Sequence, residues 1–133
     1  KATDEIKELE NEHIRLLGYV SDEELRDLYR TCRLVVVPLR YGAGVKGKVV
    51  ECMYHQAPFI TTPIGAEGLG MAEDEFAIVD ADYMMAEAIV DLYANDEKLM
   101  KIMRACRPYL NSHFTKRQAL EVVLSDIEVS KIN

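Results

Sequence analysis

Long apolar runs are missing from this sequence. Nothing in its 133 residues approaches the ~20 consecutive apolar positions that cross a bilayer, and no charged-then-apolar leader opens it. A cytoplasmic protein is therefore expected. A basic excess is also missing: 16 Lys and Arg face 23 Asp and Glu, for a formal net charge of -7. Nucleic acid is not expected as the main partner, because gripping a phosphate backbone needs a basic face. Cysteine is scarce and odd in number. Cys32, Cys52 and Cys106 form no C-x-x-C pair and are expected as reduced, core-facing thiols. His13, His55 and His113 show no ligand spacing with each other or with the cysteines, so no metal site is expected.

What is present is 49% hydrophobic residues, enough for one domain with a real core. Residues 4–12 read as an exposed helix with a narrow stripe of Ile6 and Leu9, and residues 14–17 as a short strand closed by Gly18. Ser21 and Glu24 form a capping box that opens a helix to about Thr31, with Leu25, Leu28 and Tyr29 on its core side. Short apolar strands are expected at 34–37, 59–62 and 76–79, with a helix over 48–55 and a two-glycine loop over 62–68. Such an alternation predicts an α/β fold, a parallel sheet covered on both faces.

The last third reads as helical. Asp82 caps a segment with Ala86, Ile89, Val90 and Tyr93 on one face, and Asn95 caps another with Leu99, Ile102, Met103 and Cys106. Pro108 should kink or end that helix. Thr115 and Gln118 then make a capping box for a last helix showing Leu120, Val123, Leu124 and Ile127. Met84, Met85, Met100 and Met103 read as core filler.

The stretch from Pro38 to Glu51 departs most from this generic texture. Gly42, Gly44 and Gly47 let the backbone adopt positive φ and approach a ligand closely. The following helix points its free N–H groups into that turn, and such an end binds phosphate. Between Leu28 and Val50 lie five basic residues, Arg30, Arg33, Arg40, Lys46 and Lys48, and no acidic one. A local positive field in an acidic chain suits an anionic ligand. On spacing alone two readings stand: a phosphate cradle, or a tight strand-to-helix turn without chemical consequence. The stretch is no Walker A loop. Although the glycines read G-x-G-x-x-G, Thr61 and Thr62 stand where a dinucleotide fold would place an acidic residue.

The run Pro38-Leu-Arg-Tyr-Gly-Ala-Gly-Val-Lys-Gly-Lys-Val-Val-Glu-Cys-Met53, with Ala57-Pro-Phe-Ile-Thr-Thr62 and Ile64-Gly-Ala-Glu-Gly68, closely resembles the donor-binding half of retaining, GT-B-fold glycosyltransferases of group 1. The resemblance extends from Arg15 to about Phe114. It implies the C-terminal half of a GT-B fold, a Rossmann-like parallel sheet with flanking helices. The implied reaction moves a sugar from a nucleotide-diphosphate donor to an acceptor hydroxyl on a glycan or glycolipid, with retention and without metal or other cofactor. Charge building on the departing diphosphate would be met by the N–H groups of Val45, Lys46 and Gly47 and the helix start at Lys48. Glu51 would bind the ribose hydroxyls, since a carboxylate accepts from two at once. Lys46 and Glu51 are the implied catalytic residues, and Arg40, Gly42, Ala43 and Gly44 complete the donor loop. Ala43 stands where the family carries a first glutamate that touches the donor sugar or diphosphate.

Several readings stay open beside this. Lys46 is either a diphosphate partner or a solvated lysine, and Lys48 could pair with Glu51 along its helix, worth only ~0.2–0.5 kcal/mol. Gly65 and Glu67 lie on the carboxyl-end side of the sheet, either facing substrate or serving turn chemistry. Gln56 replaces a helix-ending Gly, where a left-handed conformation is costly, and Tyr54 replaces a small residue. The resemblance also implies that residues 1–133 are one truncated domain of a longer enzyme, inactive alone. An N-terminal acceptor domain would be absent from it, and with it any peripheral contact with the inner membrane face. A sheet left open could pair edges with a second copy. The alternatives are a non-catalytic interaction or regulatory module, and a GT-B enzyme of another reaction, an epimerase or phosphorylase. Bacterial envelope polysaccharide is the expected context.

Overall fold

The computed structural model describes residues 2–42, 46–70, 74–80, 82–114, 120–121 and 124. In chain order the elements are α1 (Asp4–Lys7), α2 (Asp22–Thr31), β1 (Val35–Val37), α3 (Gly47–Tyr54), β2 (Phe59–Thr61), α4 (Pro63–Ala66), β3 (Ala77–Ile78), α5 (Asp82–Tyr93) and α6 (Asp96–His113). The strands form a parallel sheet in the order β1-β2-β3, with Val36 opposite Ile60 and Thr61 opposite Ile78. Each parallel step is bridged by helical chain, the α/β plan that the alternating pattern predicts.

The core gathers where α3 and α6 pack on each other beside β2. Val49, Val50, Cys52 and Met53 of α3 meet Phe59 and Ile60 of β2, with Leu99, Ile102, Cys106, Tyr109 and Leu110 from α6. Phe76 stacks on Phe59 at 5.5 Å between ring centroids and meets Tyr109 edge-on at 5.4 Å. All of β2 is buried, as a central strand requires. β1 is an edge strand, and its Val36 is 39% exposed, so the covering of both faces stops there.

Several expected features are found where the local chemistry is self-contained. The Ser21 hydroxyl accepts from the Glu24 N–H while the Glu24 carboxylate accepts from the Ser21 N–H, completing the capping box. That bonding holds the Glu24 carboxyl below its usual range. Asn95 caps α6 by accepting from the Lys98 N–H at 3.0 Å.

Others are corrected. Residues 14–17 form no strand: Ile14 pairs back to Asn11 in an isolated bridge, and the Leu16 N–H donates to the Glu10 carboxylate. The first helix stops at Lys7, since its residues bury nothing that would extend it. Residues 63–66 form the short helix α4 rather than loop, because the Thr62 hydroxyl accepts from the Gly65 N–H and Pro63 fits the first helical position. Pro108 does not end α6. The chain continues helical to His113, carried by buried Cys106, Tyr109 and Leu110 on the core side while Pro108 faces solvent. α5 buries Met85 and Leu92, leaving Val90 68% exposed. Its core face is thus turned by about one residue from the expected one. Met84, Met100 and Met103 are largely exposed, so Met85 alone of those four fills core. Cys32 is exposed because α2 buries none of its residues. The expected capping box of Thr115 and Gln118 lies outside the described residues, and Leu120 and Leu124 are exposed.

Gln56 ends α3 in the left-handed region, φ 53°. Its N–H donates to the Met53 carbonyl and that of Ala57 to the Cys52 carbonyl, the paired bonds of a Schellman ending. The strain anticipated for a side chain at this position is real. Gln56→Gly should raise stability by about 1 kcal/mol, read by chemical denaturation, since relief of the left-handed penalty outweighs the added entropy of the unfolded glycine. The thiols should divide in the same molecule. Burial and the Glu51 charge push Cys52 up to about 12, and burial pushes Cys106 to about 12. At mildly alkaline pH a thiol reagent is expected to label Cys32 in the native protein and to reach Cys52 and Cys106 only on unfolding, as counted by mass spectrometry.

Candidate functional site

β1 ends at Val37, and Pro38 has no N–H with which to continue the ladder. Two hydroxyls from the end of β2 take over. Thr61 Oγ1 donates to the Val37 carbonyl at 2.9 Å, and Thr62 Oγ1 to the Leu39 carbonyl at 2.6 Å. The take-off of the glycine loop is thereby fixed to the neighbouring strand. Gly42 follows at φ 120°, a conformation that glycine tolerates and other residues do not.

The chain returns at Lys46, which precedes α3 and makes no side-chain cap. The helix thus begins without a cap from the side chain that precedes it. The Lys46 side chain is only 11% exposed. Its stem lies under Gly42, so close that a β-carbon there would sit 3.2 Å from Lys46 Cε. Nζ lies 3.9 Å from Oε2 of Glu67, the residue that closes α4. A lysine withdrawn this far from water needs compensating polar or negative partners, and the Glu67 carboxylate is one of them. This excludes the solvated-lysine reading.

One turn along α3, Glu51 is half-buried. The Tyr29 hydroxyl of α2 donates to Glu51 Oε2 at 3.3 Å. The Tyr29 ring stacks on His55, with centroids 4.9 Å apart and planes 11° from parallel. Burial first, then the charges of Cys52 and Glu51, raise the Tyr29 phenol well above its ordinary value, so it stays a donor. Burial, with the nearby Arg26 charge, lowers His55.

The candidate residues do not all converge. Gly42, Lys46, Gly47, Glu51 and Glu67 line the loop and the start of α3. Ala43, Gly44 and Val45 lie outside the described residues. Lys48 is exposed and, among the described residues, forms no salt bridge, so the pairing with Glu51 is not made. Arg40 points elsewhere, its guanidinium 2.5 Å from the Asp82 carboxylate across a cleft of about 360 Å³ lined by Pro38, Leu39, Thr62 and Asp80. Asp82 is therefore the first residue of α5 and an ion partner, in place of the expected cap. Gly65 is buried, and its contact is packing: a β-carbon there would lie 1.9 Å from Thr61 Oγ1. Sequence reasoning placed Tyr29 in the core and missed its bond to Glu51, since no spacing rule links residues 22 apart.

Among the described residues no cluster of three or more His, Cys, Asp or Glu is placed to hold a metal ion. No helix among them is long and apolar enough to cross a membrane.

A strand, a glycine loop with a buried lysine, and a helix bearing a half-buried glutamate follow one another in a Rossmann-like α/β arrangement. The chain belongs to the family described as "Glycosyl transferases group 1", whose pattern matches residues 1–95. It is also similar to an "Uncharacterized 44.6 kDa protein in cps region" of Klebsiella pneumoniae, 25% identical over 114 residues. That match takes in 85% of this chain and 29% of the relative, so the chain spans under a third of the relative's length. No solved structure matches it.

Gly65 yields a direct test of the packing around the loop. Gly65→Ala is expected to destabilise the fold by about 1–3 kcal/mol, because Thr61 can yield space only by giving up its bond to Val37. A thermal melt beside Thr61→Ala, which opens that space, is the check: the double variant should recover part of the loss.

Proposed function

We propose that this chain supplies donor-site residues of a glycosyltransferase that moves a sugar from a nucleotide diphosphate to an acceptor hydroxyl, with retention of the anomeric configuration. The observation that carries the reading is Lys46, nearly buried beneath Gly42 where the glycine loop meets the start of α3, with the half-buried Glu51 one turn along the same helix. In the reaction the largest change is negative charge gathering on the departing diphosphate. Fixed N–H groups and a fixed cation stabilise that charge without having to reorganise. The Lys46 ammonium would meet a diphosphate oxygen, with the Gly47 N–H beside it. Glu67 would hold the lysine in place beforehand, at a separation long enough for a phosphate oxygen to compete.

Glu51 would accept from the two ribose hydroxyls. It lies one turn into α3, on the same helix whose start would face the diphosphate. Family membership supports glycosyl transfer in general, while retention and the nucleotide donor are part of the proposal. The cps-region relative favours an envelope polysaccharide as the context, and an acceptor glycan or glycolipid as the second substrate. No cofactor is assigned a role.

Calorimetry on the full-length protein with a panel of nucleotide diphosphates and their sugars tests this. One nucleotide is expected to bind tightly, and Glu51→Ala to weaken it by ~1–3 kcal/mol. The anomeric signal of the product by proton NMR then reads retention or inversion. Absence of nucleotide binding, or equal binding by the variant, would sink the donor-site reading and leave an interaction module in its place.

A further inference from the structure

We propose that Tyr29 is a positioning residue for Glu51, holding that carboxylate in one orientation before any ligand arrives. The inference rests on the donor-site reading above and adds to it a residue from a different helix. Its hydroxyl donates to Glu51 Oε2 at 3.3 Å, while its ring lies flat on His55, one helical turn further along α3. Glu51 and His55 are four residues apart and so share one face of α3. Tyr29 thus touches two consecutive turns of that face, with its polar end on the first and its ring on the second.

The contact serves more than packing. Tyr29 is half-buried and packs against the edge of the core through its ring, which leaves its hydroxyl, at the far end of that ring, directed at Glu51. A glutamate whose carboxylate is not fixed samples several rotamers, and ordering it on binding lowers affinity. A donor fixed by stacking removes that disorder in advance, the arrangement in which a supporting side chain locks a binding group. The protonation states agree with the geometry. Burial and the adjacent negative charge keep the Tyr29 phenol protonated, and burial beside Arg26 favours neutral imidazole at His55. A neutral ring stack therefore carries a permanent donor next to a carboxylate.

Tyr29→Phe keeps the ring and the stack and removes only the donor. In the full-length protein, the nucleotide diphosphate that binds the wild type should bind Tyr29→Phe about tenfold more weakly, with an unchanged thermal midpoint. The decisive readout is the cycle with Glu51→Ala: in that background Tyr29→Phe should change affinity by less than about twofold, because its effect runs through the carboxylate. Wild-type affinity in Tyr29→Phe, or a tenfold loss that persists in the Glu51→Ala background, would overturn the proposal. So would a fall in thermal midpoint that accounts for the weaker binding. Failure of the donor-site reading looks different, because there the wild type binds no nucleotide or Glu51→Ala binds normally.

Discussion

Two threonine hydroxyls at the end of β2 determine where the glycine loop begins. A parallel sheet gives each strand a ladder of backbone bonds, but that ladder stops at Val37, and Pro38 cannot renew it. The next two carbonyls able to accept, those of Val37 and Leu39, face the interior side of the turn, where leaving them unbonded would be costly. Thr61 and Thr62 donate to them in register, one side chain per carbonyl. Thr62 carries a second duty, accepting from the Gly65 N–H to start α4. A change in β2 would therefore be felt simultaneously at the loop, at α4 and at Glu67.

From that anchoring the electrostatics follow. A chain of net charge -7 has little use for a buried lysine as a general surface charge. Lys46 is nevertheless drawn in under Gly42, at a point where the N–H groups of α3 add to its positive field. Glu67, at 3.9 Å, is near enough to orient the ammonium. Arg40, which composition alone groups with Lys46, is committed to Asp82 on the rim of the adjoining cleft. Two cations in one basic stretch thus end with different partners.

The legible parts of the fold were those whose cause lies within a few residues. The Ser21 and Glu24 box, the Asn95 cap, the left-handed strain at Gln56 and the strand–glycine turn–helix at 34–55 each follow from neighbouring side chains and backbone. Residues 14–17 carry strand-like composition, yet their backbone groups bond back to Asn11 and Glu10, and composition cannot show which partner wins. α5 is apolar over much of its circumference, so periodicity admits two faces, and contact with α6 selects Met85 and Leu92. At the site, the loop, Lys46 and Glu51 were readable, whereas Tyr29, Asp82 and the threonine hydroxyls act across the fold. For Gly65 both readings stayed open, because loop position does not reveal a neighbour pressing on the α-carbon.

That pressure ties two positions into one heritable unit. With Thr61 Oγ1 occupying the space a β-carbon at 65 would need, serine at 61 offers no relief, because it keeps the obstructing oxygen. Alanine at 61 opens the space but takes from the Val37 carbonyl one of its two donors, leaving the Leu39 N–H alone. In related sequences, residues 61 and 65 should then drift together or not at all. A chain that has lost glycine at 65 would have had to find another way of ending its first strand.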